Sequence, residues 1–115
     1  MYPPATREIA QARRSLAPES QAAFDAFSRT VFAEGALSAK MKQIVAVAVA
    51  HATQCPYCIK GHTKAALRAG ATRQELMEAI WVAAEMKAGA AYAHSALAIS
   101  VFDEEAAAPK PQAGG

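Results

Sequence analysis

The chain has 115 residues and a mass of 12.0 kDa, the size of a single domain. Its net charge of +2, from 12 basic and 10 acidic residues, gives no basis for nucleic-acid or membrane-surface binding. An alanine-rich composition with only 7% aromatic residues favours packed helices over a β-sandwich. The longest apolar run, residues 44–50, is too short to span a membrane, and the first residues lack the apolar core of a secretory signal. We therefore expect a cytoplasmic protein without a membrane partner.

The first two predicted helices cover residues 5–16 and about 18–33. Pro18 suits the first position of the second helix, and Gly35 ends it. Four apolar residues recur at helical spacing and are expected to face the core: Phe24, Phe27, Val31 and Phe32.

A third helix is predicted over residues 39–53, with Ser38 as its N-cap. Residues 44–50 are apolar nearly all round, which predicts the buried central helix. A buried parallel strand would also fit this run, and periodicity alone does not separate the two. The Lys-Met-Lys-Gln lead-in and the lack of other strand-like runs favour the helix.

Pro56 at a first-turn position makes Cys55 the N-cap of a fourth helix, which ends at Gly70. Thr72 and Glu75 then match a capping box that opens a fifth helix over residues 73–87. Its apolar stripe is formed by Leu76, Ile80, Ala83 and Ala84.

Gly89 marks either a helix break or a point of close contact, and a final helix is predicted over residues 90–102. The segment 105–115 has nothing to bury and is expected to be disordered. The sequence thus predicts an all-α domain of about six helices over residues 1–104.

The two cysteines of the chain lie in the stretch QCPYCIKGHTK, residues 54–64. At 100° per residue, Cys58 lies about 60° from Cys55 around the predicted helix, and His62 lies between them. His62 is also one turn beyond Cys58, within side-chain reach of its sulfur. Two thiols and a base therefore share one helical face.

This arrangement favours thiol redox chemistry. Unpaired N–H groups at a helix N-terminus stabilise thiolate over thiol, and a second thiol three residues away can resolve an oxidised first one. A zinc site is an alternative, but Cys55, Cys58 and His62 supply three ligands, so His51 or His94 would have to be the fourth. Two buried, inert thiols are another alternative. Covalent c-type haem is excluded because Ile59, and not histidine, follows the second cysteine.

The run KMKQIVAVAVAHATQCPYCIKGHTKAALRAGATRQELMEAIWVAAEMKAGAAYAH carries this CxxCxxxH motif between an apolar helix and an AGAT…E helix start. It resembles the AhpD-like alkylhydroperoxidase branch of the carboxymuconolactone decarboxylase family over about residues 34–94. The resemblance implies an all-α fold that assembles into homotrimers or homohexamers. It also implies a thiol-dependent peroxidase or disulfide reductase without a cofactor, acting on a hydroperoxide or a protein disulfide and recharged by a dithiol electron donor protein.

By the resemblance, Cys58 is the peroxidatic cysteine, Cys55 resolves it, and His62 belongs to a proton relay. The relay glutamate of that branch falls at Gln43 in this chain, and an amide cannot accept the proton. Glu85, in the apolar stretch IWVAAEM, is the candidate replacement, against the alternative of a solvated helix edge.

Other polar and aromatic residues are assigned less directly. His51 is interpreted as a core histidine, with relay membership as the alternative. Tyr57, between the cysteines, should border their pocket, whereas Trp81 and Tyr92 are expected to pack. Two other functions stay open: a decarboxylase acting on a lactone acid, which the CxxC motif and the lack of an arginine cluster disfavour, and a non-enzymatic thiol sensor of oxidants.

Overall fold

The structure is a computed structural model that describes residues 1–109, and within that part of the chain every regular element is a helix. The predicted all-α fold is therefore confirmed. The five helices are α1 (Arg7–Leu16), α2 (Pro18–Phe32), α3 (Ala39–Ala52), α4 (Pro56–Arg68) and α5 (Arg73–Ala107).

Each N-cap predicted for α3, α4 and α5 is confirmed by a hydrogen bond. Ser38 Oγ accepts from the N–H of Met41 at 3.0 Å, and Cys55 Sγ accepts from the N–H of Cys58 at 3.2 Å. At the start of α5 the capping box is complete, because the side chains of Thr72 and Glu75 each accept from the other's backbone N–H. These caps fix where three of the five helices start.

Helices α3 and α4 end in the same hydrogen-bonded turn. After α3, the N–H of Gln54 donates to His51 O and the N–H of Cys55 donates to Ala50 O, which is the Schellman pattern. The turn requires a left-handed residue, and Gln54 takes that role with φ 56°. Gly70, with φ 98°, does the same after α4, as predicted. The first turn carries the chain directly from α3 to Cys55.

The core lies where α3 packs against α4 and α5. It consists of Ile44, Val47, Ala66, Ala71 and Leu76, with Ala79 and Ile80 packed against it. The apolar stripe predicted on α5 is thus confirmed for Leu76 and Ala83, which are buried, whereas Ala84 is exposed. α1 packs on α2, and α2 reaches α3 with its end. Neighbouring helices therefore cover one side of α3 and leave its other side exposed to solvent in the single chain.

Of the two alternatives at Gly89, a helix break or a point of close contact, the break is wrong, and so is the separate final helix predicted after it. α5 runs for 35 residues without interruption, so one helix stands where two were predicted, and residues 1–109 contain five helices instead of about six. A single glycine costs a helix only about 1 kcal/mol, which its helix-forming neighbours offset. The helix also extends through 105–107, the first residues of the expected tail, while residues 110–115 lie outside the described part.

The apolar residues of α2 are not in the core of the single chain. Phe24 is 63% exposed, Phe27 64% and Val31 42%, and Phe32 alone of the predicted four is half-buried. Val45 and Val49 on α3 are likewise exposed, so α3 is buried on one face and not all round. The radius of gyration of 22.0 Å far exceeds the roughly 13 Å of a compact chain of this length. Helical spacing in the sequence identified the apolar faces of α2 and α3, but it did not identify which part of the protein packs against them.

Within residues 1–109, none of the helices combines the length and the apolar character needed to cross a membrane.

Candidate active site

The turn between α3 and α4 positions the two cysteines. Cys55 is held through its backbone N–H by the end of α3 and serves as the N-cap of α4, and Cys58 follows in the first turn. The two residues form a disulfide, with their Cα atoms 5.2 Å apart. The structure therefore represents the oxidised state of the CxxC pair.

His62 is fixed by contacts from two other helices. Its Nδ1 lies 2.8 Å from Oε1 of Gln43 on α3, and its ring stacks on that of Phe32 at the end of α2, with centroids 5.2 Å apart. Because Gln43 is 19 residues earlier in the chain and Phe32 is 30 earlier, neither contact follows from local spacing. The family resemblance had pointed to position 43, but no sequence signal marked Phe32 as a neighbour of His62.

Cys58 and His62 open onto one apolar pocket of about 420 Å³ between α2, α3 and α4. The other residues lining it are Val31, Phe32, Leu37, Lys42, Val45, Ala46, Val49, Ala50 and Thr53. Cys55 does not line this pocket. Cys58 is thus the cysteine of the disulfide that faces the apolar pocket. We call this cavity the Cys58 pocket.

Lys42 is the cation of the Cys58 pocket, and it is engaged in holding α2 to α3. Its Nζ donates to Val31 O at 2.8 Å and to Ala33 O at 2.6 Å, carbonyls at the C-terminal end of α2. This anchors the part of α2 that carries Phe32. The sequence did not single out Lys42.

Two of the other predicted site residues, His51 and Tyr57, do not line the Cys58 pocket. His51, half-buried on α3, binds Val47 O through Nδ1 at 2.7 Å, as expected of a satisfied histidine. Tyr57 turns away and donates to Pro3 O at 2.7 Å, with the ring of Tyr2 against its own. It borders a second cavity formed with residues 1–5, which neither cysteine lines, and it is not among the residues that line the Cys58 pocket.

On α5, the candidate relay residue Glu85 is exposed in the single chain and does not line the Cys58 pocket. Trp81 and Tyr92, expected to pack, are also exposed, and His94 Nδ1 binds Ala90 O at 2.7 Å. The structure therefore brings together Cys55, Cys58, His62 and Gln43, and it leaves Glu85 apart from them.

A metal centre finds little support in the described residues. Among residues 1–109, histidine, cysteine, aspartate and glutamate side chains nowhere gather in a group of three or more that could hold one ion. His51 and His94 each bind a carbonyl of their own helix. The four-ligand zinc site considered from the sequence is not assembled here.

Residues 18–100 match the model of the carboxymuconolactone decarboxylase family, about 72% of the chain and including the whole site. The chain belongs to this family. A protein from Paracoccus denitrificans called "Uncharacterized protein 4 in cox locus" is 65% identical over 82 residues, which cover 71% of this chain and 74% of that protein. A protein of Cupriavidus necator is 34% identical over 86 residues, covering 75% of this chain and 76% of its own length.

Solved structures resemble this carboxymuconolactone decarboxylase family chain closely. A protein of Methanobacterium thermoautotrophicum has a TM-score of 0.68 and 39% identity, covering 74% of this chain and 94% of that one. A carboxymuconolactone decarboxylase family protein from Legionella pneumophila has a TM-score of 0.66 and 33% identity, covering 86% and 91%. A Thermotoga maritima protein with a TM-score of 0.67 is 21% identical and supports the fold alone.

Proposed function

We propose that the protein is a thiol-dependent hydroperoxidase or disulfide oxidoreductase of the AhpD-like type. One observation carries the proposal: the Cys55–Cys58 disulfide sits at the N-terminus of α4, with Cys58 and His62 facing one apolar pocket. A helix N-terminus stabilises the thiolate that must attack, and the pocket accommodates the organic part of a substrate. Membership of the family and the CxxCxxxH motif agree with this chemistry.

The proposed cycle begins with the reduced pair. The thiolate of Cys58 attacks the terminal oxygen of a hydroperoxide, the O–O bond breaks, and an alcohol leaves after taking the proton that Cys58 gave up. Cys58 is then a sulfenic acid. The thiol of Cys55 attacks its sulfur and releases water, which forms the disulfide. A dithiol donor protein reduces that disulfide and becomes oxidised itself. His62 moves the proton from the thiol to the leaving oxygen.

The surroundings of the two sulfurs support the roles proposed for them. Cys58 faces the apolar pocket, where a peroxide can approach, whereas Cys55 lies outside it at the end of α3. Both cysteines are half-buried, and the exposed neighbours of Cys55, Gln54 and Pro56, leave room for a donor protein to reach it from outside the pocket. This supports Cys58 as peroxidatic and Cys55 as resolving.

The experiment is a turnover assay with an organic hydroperoxide and dithiothreitol, run on the wild type, Cys55→Ser and Cys58→Ser, beside an insulin-disulfide reduction assay. We expect Cys58→Ser to abolish peroxide consumption and Cys55→Ser to lower it strongly. Full activity in Cys58→Ser would overturn the assignment. Turnover of a lactone acid that survives loss of both thiols would instead indicate decarboxylation, and reversible oxidation without turnover would indicate a sensor.

We also propose that the chain functions as a homotrimer or homohexamer in the cytoplasm. The second half of α5 buries no residue in the single chain, and it exposes Tyr92, Leu97, Ile99, Val101 and Phe102. Exposed apolar surface on this scale is typical of subunit interfaces. A closed ring or a pair of rings would cover α5 and the open faces of α2 and α3 together.

A further inference from the structure

We propose that Gln43 is a positioning residue that holds His62 in the tautomer with hydrogen on Nδ1, so that Nε2 is the basic nitrogen of the site. The inference rests on the proposed thiol chemistry for its consequence, but the tautomer itself can be measured without turnover. The observation behind it is the 2.8 Å contact between His62 Nδ1 and Gln43 Oε1.

A neutral imidazole has one N–H donor and one lone-pair acceptor, and the partner of one nitrogen decides which is which. An amide oxygen can only accept, so Nδ1 must donate to it. Among residues 1–109, Nε2 of His62 has no hydrogen-bond partner. The lone pair therefore lies on Nε2, the nitrogen left to take a proton from the site.

The stacked Phe32 ring makes this arrangement rigid. It covers one face of the imidazole at a 23° interplanar angle, and it comes from a helix end that Lys42 anchors to α3. The imidazole is thus held at an edge by Gln43 and on a face by Phe32. A half-turn of the ring would put Cδ2 in the place of Nδ1 and break the contact with Gln43, and Phe32 would have to move aside for the ring to turn.

An amide at position 43 affects the protonation of His62 differently from a carboxylate. A carboxylate beside Nδ1 would favour the charged imidazolium and could take a proton onward, whereas neutral Gln43 does neither. His62 then shuttles alone: Nε2 takes the proton of the Cys58 thiol and returns it to the alkoxide released when the O–O bond breaks. Atoms and charge balance without a second acceptor, so Glu85 is not needed for the step.

Other charged or titratable groups near His62 are few. Cys58 and Lys42 are the ones that line the same pocket, and α2 contributes Phe32 at this point. The Lys42 charge is engaged with α2 carbonyls and is the same in every variant considered. A change in pH dependence on altering Gln43 can therefore be assigned to the His62 contact.

The direct test is the ¹⁵N NMR spectrum of the histidine rings in the reduced protein. His51 and His94 serve as internal references, because their Nδ1 atoms face backbone carbonyls and must carry hydrogen. We expect His62 to show the same tautomer in the wild type and to lose it in Gln43→Leu. A wild-type His62 with hydrogen on Nε2 would overturn the proposal.

The kinetic test compares Gln43→Glu with Gln74→Glu, an identical change at an exposed position of α5. In Gln43→Glu the acid limb of the pH–rate profile should move to higher pH by about one unit or more, and in Gln74→Glu it should stay. Gln43→Leu should lower kcat/KM by about tenfold with the pair of cysteines intact. An unmoved acid limb in Gln43→Glu would contradict the proposal. If neither the wild type nor any variant turns over peroxide, the proposed function fails. The NMR spectrum would then still decide whether Gln43 positions His62.

Discussion

The ring of Phe32 lies stacked on the imidazole of His62, with centroids 5.2 Å apart and the planes at 23°. This contact joins the end of α2 to the helix that carries the CxxC pair. It gives an exposed and weakly packed helix a defined part in the site.

The first prediction concerns this stack. Phe32→Leu removes an aromatic contact worth about 0.5–1.5 kcal/mol and frees one face of the His62 ring, so kcat/KM for peroxide should fall by up to about tenfold. The matched control is Phe27→Leu on the same helix, because Phe27 is exposed and does not touch His62. Equal activity losses in the two variants, measured at saturating dithiol, would show that the stack has no specific role.

Glycine substitutions in and after α4 should have opposite effects on stability. Gly61 is in the middle of the helix and a Cβ there would meet open space, so Gly61→Ala should raise the free energy of unfolding by about 0.5–1 kcal/mol. Gly70 also has room for a Cβ, but its φ of 98° is unfavourable for alanine. Gly70→Ala should therefore lower stability by about 1–2 kcal/mol.

Urea unfolding of the two variants and the wild type measures both effects. Since neither site is crowded, a loss of stability in Gly61→Ala would mean that this face of α4 is covered in solution by something beyond the single chain. A neutral Gly70→Ala would contradict the left-handed turn at the end of α4.

The capping box predicts a specific pH dependence of stability. The backbone N–H of Thr72, followed by Lys40, lowers the pKa of Glu75 below its ordinary value of 4.5. Because the folded-state pKa is below the unfolded one, the charge of Glu75 stabilises the fold above pH 4.5, and this contribution is lost as the pH falls through the lowered value.

Glu75→Gln keeps a capping side chain but removes that charge. The melting temperature of the variant should be lower than that of the wild type near pH 7, and the gap should close as the pH falls below 4.5. Thr72→Ala, which removes the other half of the box, should be destabilised across the whole range. A gap between Glu75→Gln and wild type that persists unchanged at pH 3 would refute the assigned role of the charge.

Assembly is testable through the second half of α5. The wild type should have a solution mass three or six times the chain mass of 12.0 kDa by light scattering. Leu97→Glu combined with Val101→Glu places two charges on an apolar helix and should shift the protein to smaller species. Glu105→Gln, an exposed change further along α5, should not. A monomeric wild type would contradict the proposed oligomer.

How much of this could be predicted from the sequence depends on the range of the interactions. Three local features were predicted: Cys55 as the N-cap of α4, the capping box of Thr72 and Glu75, and the left-handed Gly70. Each depends on residues within about four positions of one another. The shared face of Cys58 and His62 was predicted for the same reason.

The predictions that failed concern contacts between residues far apart in the sequence, which are present where none was predicted or absent where one was expected. Phe24 and Phe27 have the spacing of core residues, yet they are 63% and 64% exposed in the single chain. Glu85 lies in an apolar stretch of sequence, yet Ala83 is the buried residue of that stretch and the side chain of Glu85 is exposed in the single chain. The contact of Gln43 with His62 depends on how α3 packs against α4, which residue spacing does not reveal.

The central claim is that Cys58 is the sulfur oxidised by peroxide, and mass spectrometry of the Cys55→Ser variant tests it most directly. The reduced variant is treated with one equivalent of organic hydroperoxide in the presence of dimedone, which captures sulfenic acids. The proposed mechanism predicts a dimedone adduct on Cys58 in Cys55→Ser and no adduct in Cys58→Ser. An adduct on Cys55 in Cys58→Ser, with none on Cys58 in Cys55→Ser, would contradict it.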